Sequence, residues 1–191
     1  AKAEALKKKL LLNSLFFILS GVGTMGGGHA AYLAEQLAAD HSTWRICSWH
    51  KDQRLMQVGG KPDEVGWEVY EICRKEGAIV ATAHEHSYSR TYLMNSFDHQ
   101  TISSTANTLL LEKGKTIAFG SGLGGKSIRD QNNTLAANPW WAAVYTEDQG
   151  ADYGALFCTF NVDGTAGRAR CYFKNRNGFI ADTFEIISSV D

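Results

Sequence analysis

Along the first half of the chain, short apolar runs alternate with stretches of helical spacing. The apolar run at 14–19 predicts a strand, and a glycine-rich turn follows it. Between residues 29 and 40 the apolar positions Ala30, Leu33, Ala34 and Leu37 recur at the helical period. The run at 44–49 predicts a second strand, and the loop 51–62 has turn chemistry at Gly59-Gly60 and Lys61-Pro62. A second helix is predicted from a cap at Asp63 through Glu76. Val65, Val69, Ile72 and Cys73 are its apolar positions, and Gly77 ends it. Residues 78–83 predict a third strand. Strand, helix, strand, helix, strand implies parallel pairing and an α/β architecture.

The second half changes period. Residues 108–112 and 116–119 read as short strands around Lys113-Gly114-Lys115. Residues 153–162, 168–174 and 179–187 read as an antiparallel β-meander turning at Asp163-Gly164 and Asn177-Gly178. Between these groups lies a long loop, 120–149, containing Pro139-Trp140-Trp141, which suits either an interface or core packing. With no internal repeat, low-complexity tract or linker, residues 1–191 are expected to form one domain.

Composition changes this picture little. A hydrophobic content of 44% with 11% aromatics supports a packed core, and a net charge of -1 gives no reason to expect nucleic acid or an anionic membrane as partner. Lys7-Lys8-Lys9 before the apolar run of residues 10–19 has the outline of a secretory signal, but Asn13-Ser14 interrupts it, and a core strand is the preferred reading. The run is too short and too polar to span a bilayer as a helix. The four cysteines Cys47, Cys73, Cys158 and Cys171 show no zinc-type spacing. Cys158 and Cys171 flank the turn at Asp163 almost symmetrically, so a cross-strand disulfide is open there, with two small buried thiols preferred.

Two glycine motifs suggest nucleotides. Gly21-Val22-Gly23-Thr24-Met25-Gly26 fits GxGxxG between a strand and a helix, but the second strand ends in Trp49-His50-Lys51 without the acidic residue that would hold a ribose. Gly120-Ser121-Gly122-Leu123-Gly124-Gly125-Lys126-Ser127 fits the P-loop pattern. A P-loop needs a helix N-terminus directly after it, and residues 128–134 form a poor one. A nucleotide-binding protein is therefore the lesser alternative.

The chemistry concentrates at strand ends. His50 follows the second strand, and Ala83-His84-Glu85-His86-Ser87-Tyr88-Ser89-Arg90 follows the third. Neutral imidazoles at the carboxyl edge of a parallel sheet are suited to binding a metal. These two blocks resemble the last two ligand blocks of the calcineurin-like metallophosphoesterases, including purple acid phosphatases: a lone His after one strand, and Gly-His-x-His running on to Tyr and Arg after the next. The resemblance extends from about Asn13 to the end of the chain. It implies the C-terminal half of a metallophosphoesterase-type α/β sandwich, βαβαβ followed by an antiparallel β-meander.

By that resemblance His50 and His84 would bind one metal and His86 the other, in a dinuclear Zn, Fe or Mn site. His84, Tyr88 and Arg90 would then orient the site or touch a phosphate-ester substrate. Cations of the pocket loops, Lys51, Arg54, Lys61, Lys126 and Arg129, suit an anionic ester. The chain departs from the pattern at Ala83, where the family has Gly, and at Lys51. It also lacks the family's Asp-x-His, Gly-Asp-x-x-Asp and Asn-His-Asp/Glu blocks before His50. The expectation is a hydrolase domain fragment, inactive alone, completed by an N-terminal half in a longer or a partner chain. Whether it is an enzyme depends on that completion. A degenerate, non-catalytic module acting as a structural or interaction subunit is the alternative. The sequon Asn132-Asn133-Thr134 and the resemblance point towards a secreted or extracytoplasmic location, which the cysteines do not decide.

Overall fold

The computed structural model describes residues 14–19 and 27–190. Three parallel strands come first: β1 (Ser14–Leu19), β2 (Trp44–Trp49) and β3 (Ile79–Thr82). Between them run the helices α1 (Gly27–Ala38) and α2 (Glu68–Lys75). Next come β4 (Tyr88–Thr91), the small ladder β5 (Leu93–Ser96) and β6 (Thr101–Ser104), then β7 (Thr108–Leu111), β8 (Ala118–Ser121), the single turn α3 (Asn133–Ala136) and β9 (Trp141–Tyr145). The meander β10 (Gly154–Phe160), β11 (Arg168–Asn175) and β12 (Ile180–Ser188) closes the chain.

These strands form a six-stranded sheet in the order β1-β2-β3-β8-β4-β9 and a four-stranded sheet in the order β10-β11-β12-β7. The α/β first half and the antiparallel meander are as the apolar periods indicate. Alternation along β2 and β3 builds the layers. Cys47, Trp49 and Val80 pack with Leu33, Leu37, Val69 and Cys73 of the helices. Trp44 and Ile79 face the second sheet and pack with Leu109, Leu111, Ala169, Cys171, Phe184 and Ile186.

Several local expectations change. The helix predicted from Asp63 starts only at Glu68, because Asp63 Oδ1 accepts the N–H groups of Val65 (3.2 Å) and Gly66 (2.9 Å) and Gly66 takes φ +69°. The short strands read at 108–112 and 116–119 form at 108–111 and 118–121 and join different sheets: β7 lies parallel to β12, and β8 parallel to β3. Strands β4, β5, β6 and β9 escape the apolar pattern. Trp140 and Trp141 are buried in the helix-side core, which settles their packing. Cys158 and Cys171, directly opposite in register, form a disulfide, which corrects the preference for two free thiols there, and a second disulfide joins Cys47 to Cys73. The GxGxxG segment, residues 21–26, lies outside the described residues. No helix among the described residues is long and apolar enough to cross a membrane.

Candidate functional site

Strands β2, β3 and β8 are neighbours in the sheet, so the segments that follow them meet at one carboxyl edge, where ligand sites of open α/β sheets form. The meeting is stitched by backbone. His50 O accepts the N–H groups of Ala83 (3.3 Å) and His84 (2.9 Å), while Ser87 O accepts Gly122 N–H (2.9 Å). A side chain at Gly122 would place Cβ 1.9 Å from Glu85 O, so only glycine lets the loop after β8 lie on the histidine segment.

Glu85, between the two histidines, turns inward and is buried. Its carboxylate fills the space beside Gly59, where a Cβ would come within 2.1 Å of Glu85 Cδ. Glu85 Oε1 accepts the N–H of His86 (3.1 Å) and Nη1 of Arg129 (3.4 Å). With Glu85 held below, His84 and His86 line a cavity of about 270 Å³ together with His50, Ser121, Gly122, Gly124, Gly125 and Lys126.

Within it His50 Nε2 and His84 Nδ1 are 3.0 Å apart. The other nitrogen of His84, Nε2, is 2.8 Å from Glu64 Oε2, although that oxygen has no donor aligned for a hydrogen bond. Glu64 Oε1 is paired with Lys51 Nζ. His86 Nδ1 lies 3.2 Å from Ser127 Oγ. Among the described residues no three His, Cys, Asp or Glu side chains converge as a ready-made metal cage. His50 and His84 are joined by a ring-to-ring hydrogen bond, and their 3.0 Å separation is near the roughly 3.3 Å between two ligands of a tetrahedral zinc, although their nitrogens face each other. His86 is a separate ring on the same cavity wall.

Electrostatics suit neutral donors. Burial lowers the pKa of His84, and the charges of Lys61, His50 and Lys51 lower it further against the opposing pull of Glu64. Burial works to raise Glu64, but the Lys51 ammonium, His84 and Lys61 outweigh it and hold it below the usual range. Behind them Asp52 is only 1% exposed. Burial pushes its pKa up to about 7, reinforced by the charges of Glu85 and Glu64 and opposed by hydrogen bonds from Thr82 and the Glu85 N–H.

Tyr88 and Arg90 fall outside the cavity. Both are buried between the sheets, where Tyr88 Oη donates to Asp182 Oδ2 (2.7 Å) and Arg90 makes a two-pronged pair with Asp182 (Nε–Oδ2 2.6 Å, Nη2–Oδ1 2.9 Å). They tie β4 to β12 and are not among the residues lining the histidine cavity, so the contacts seen for them hold the two sheets together. Of the five loop cations, Lys126 lines the cavity, Lys51 pairs with Glu64, and Arg129 pairs with Glu85. Arg54 donates to Lys61 O (3.2 Å). Residues 128–132 after Ser127 are not helical, so the glycine loop lacks the helix N-terminus that a P-loop requires.

The sequence by itself does not mark Glu64 or Asp52 as site residues, and it shows Ser127 only as the end of the P-loop pattern. Its spacing puts Glu64 in a helix, and Gly66 is the signal that the helix starts later.

The chain has a mixed α/β fold with several sheets. Among solved structures it is similar to the purple acid phosphatase PPD1 from yellow lupin (Lupinus luteus) seeds, at TM-score 0.64 and 16% identity over 85% of this chain. It also aligns with PhoD, at TM-score 0.41 and 13% identity over 82% of this chain. The chain spans 28% of the lupin phosphatase chain and 35% of the PhoD chain. No protein-family profile matches it, and no curated protein sequence does.

Proposed function

We propose that this chain carries the histidine part of a divalent-metal site in a phosphoric ester hydrolase. In this reading His50 and His84 hold one ion, and His86 faces a second position in the same cavity. The single domain of residues 1–191 is then the C-terminal part of a larger phosphoesterase domain, and its carboxylate-bearing part lies elsewhere in a longer chain or in a partner. The observation that carries the reading is the 3.0 Å approach of His50 Nε2 to His84 Nδ1 at the carboxyl edge of neighbouring parallel strands. The two rings are hydrogen-bonded nitrogen to nitrogen, and binding one ion would require both to turn from that bond towards a shared position in the cavity.

When bound, a Zn, Fe or Mn ion would polarise phosphate oxygens and lower the pKa of an attacking water. The chain's own residues have distinct tasks around it. Glu64 Oε2 stands 2.8 Å from the far nitrogen of His84, on the side where carboxylates behind metal-binding histidines lie. Ser127 holds the ring of His86. Lys126, which has no ion-pair partner among the described residues, and the exposed backbone at Gly124 and Gly125 offer positive charge and N–H groups to a phosphate.

The test is a Zn²⁺ titration against a chromophoric chelator, on this protein and on His84→Ala. Expected is about one tightly held ion, with affinity at least tenfold weaker in the variant, the effect anticipated on losing one of two imidazole ligands. Absence of binding, or binding indifferent to His84→Ala, would overturn the reading and leave the non-catalytic module in its place.

A further inference from the structure

The glycine loop lies between the histidine cavity and a second depression. Gly124 borders it on one side, and on the other borders a larger groove of about 510 Å³ lined by Leu123, Tyr153, Ala155, Phe157, Lys174 and Arg176. Backbone joins the two compartments. Gly154 N–H donates to Leu123 O (3.0 Å), and a Cβ at Gly154 would come within 2.4 Å of Lys174 O, so the loop after β8 sits directly against β10 and β11.

The groove combines aromatic surface with one unmatched charge. Phe157 is 50% exposed, its ring stacked on Tyr172 at 5.6 Å and 24°. Tyr153 carries the Arg176 guanidinium over its ring at 5.3 Å, and that guanidinium is already neutralised by Asp152 at 2.8 Å. Arg176 therefore braces Tyr153. Lys174 makes no ion pair among the described residues, and neither does Lys126 in the histidine cavity. One free ammonium group thus serves each compartment, with rings lining the second.

We propose that this groove is the leaving-group subsite of the phosphate site, accepting phosphoric esters of planar aromatic alcohols that carry a second anionic substituent. The phosphate sits by Lys126 and the histidines, the aromatic ring on Tyr153 and Phe157, and the second anion at Lys174. The inference rests on the phosphate-site reading above and adds to it a substrate class.

Its test compares methyl phosphate, phenyl phosphate and 4-sulfophenyl phosphate by equilibrium binding in Zn²⁺ buffer, with ¹⁵N–¹H spectra to map the contacts. Phenyl phosphate is expected to bind about fivefold tighter than methyl phosphate, the scale of one aromatic contact. The sulfonate should add about threefold, the scale of an exposed ion pair. Phe157→Ala should remove the phenyl preference and Lys174→Ala the sulfonate preference; both side chains are on the surface, so both variants fold. Methyl phosphate should shift amides at residues 122–127 only, and phenyl phosphate also those at 153–157. Equal affinities for the three esters would overturn the groove assignment while leaving the histidine site standing. Ring-dependent shifts at 153–157 without shifts at 122–127 would overturn it too, because the groove would then be unconnected with the phosphate. Shifts there that follow protein concentration instead of ligand would assign the groove to a second copy of the chain and overturn it likewise. Failure of all three esters to bind, together with failure of the Zn²⁺ titration, would remove both readings.

Discussion

Replacing Glu64 by glutamine keeps its size and its reach to Lys51 but removes the negative charge 2.8 Å from His84 Nε2. The expected outcome is a Zn²⁺ affinity about 10- to 100-fold weaker with the fold unchanged, read by chelator competition and circular dichroism. Asp52 makes a different prediction, about stability. Its pKa is about 7 in the fold against 3.8 for the free side chain, so between those values the native state holds a proton that the unfolded chain has released. Stability from this group therefore falls as pH rises from about 4 to about 7. Asp52→Asn is expected to flatten that slope and to stabilise the protein at pH 8 by a few kcal/mol, on the order of 3, in urea melts run with chelator. Neither role is legible in the chain. His50, His84 and His86 stand out by residue type and spacing, whereas Glu64 and Asp52 are two acids among 20 until folding places them behind the imidazoles.

At the scale of elements, the strand ends did most to reveal the site. The apolar runs before His50 and His84 are legible because buried parallel strands are nearly continuous in apolar residues. Strand β4 is not, since its residues Tyr88, Ser89, Arg90 and Thr91 are polar yet all buried, with Tyr88 and Arg90 bonded to Asp182 and Thr91 to the Ala118 N–H. Arg90 carries the consequence. The residue is 1% exposed, its guanidinium lies on the Phe184 ring at 4.1 Å, and among the described residues its ion-pair partner is Asp182. Asp182→Ala would strand that charge in the core and is expected to cost about 3–5 kcal/mol in urea denaturation. Zn²⁺ affinity should persist in the folded variant, because Asp182 does not line the histidine cavity.

At the scale of the molecule, the two sheets pack around one core, and the histidine cavity opens where three neighbouring strands end. The described residues supply imidazoles, an ammonium group and glycine-loop backbone to that cavity, without a cage of three metal-binding side chains. Two ions held close together need bridging carboxylates to offset their mutual repulsion. The 191-residue chain on its own is accordingly expected to show no chelator-sensitive hydrolysis of phenyl phosphate at ordinary enzymatic turnover, on the order of 1–1,000 per second. Activity should appear when a segment bearing the Asp-x-His, Gly-Asp-x-x-Asp and Asn-His-Asp/Glu blocks is supplied, and it should fall with His84→Ala. Ordinary turnover from the chain alone would contradict the division of the site between two parts.

Local composition was enough to establish the alternation of strands and helices, the later meander and the histidines at strand ends, because burial of apolar side chains imposes a period that short windows record. Tertiary structure alone decided which strands adjoin. It sent β7 and β8, three turn residues apart in the reading of the chain, into different sheets. It paired Cys47 with Cys73 across 26 residues, brought Glu64 to His84, and turned Tyr88 and Arg90 away from the cavity. Those contacts are long-range, made by a disulfide, backbone ladders and pairs of charged or polar groups, none of which leaves a repeating pattern along the sequence.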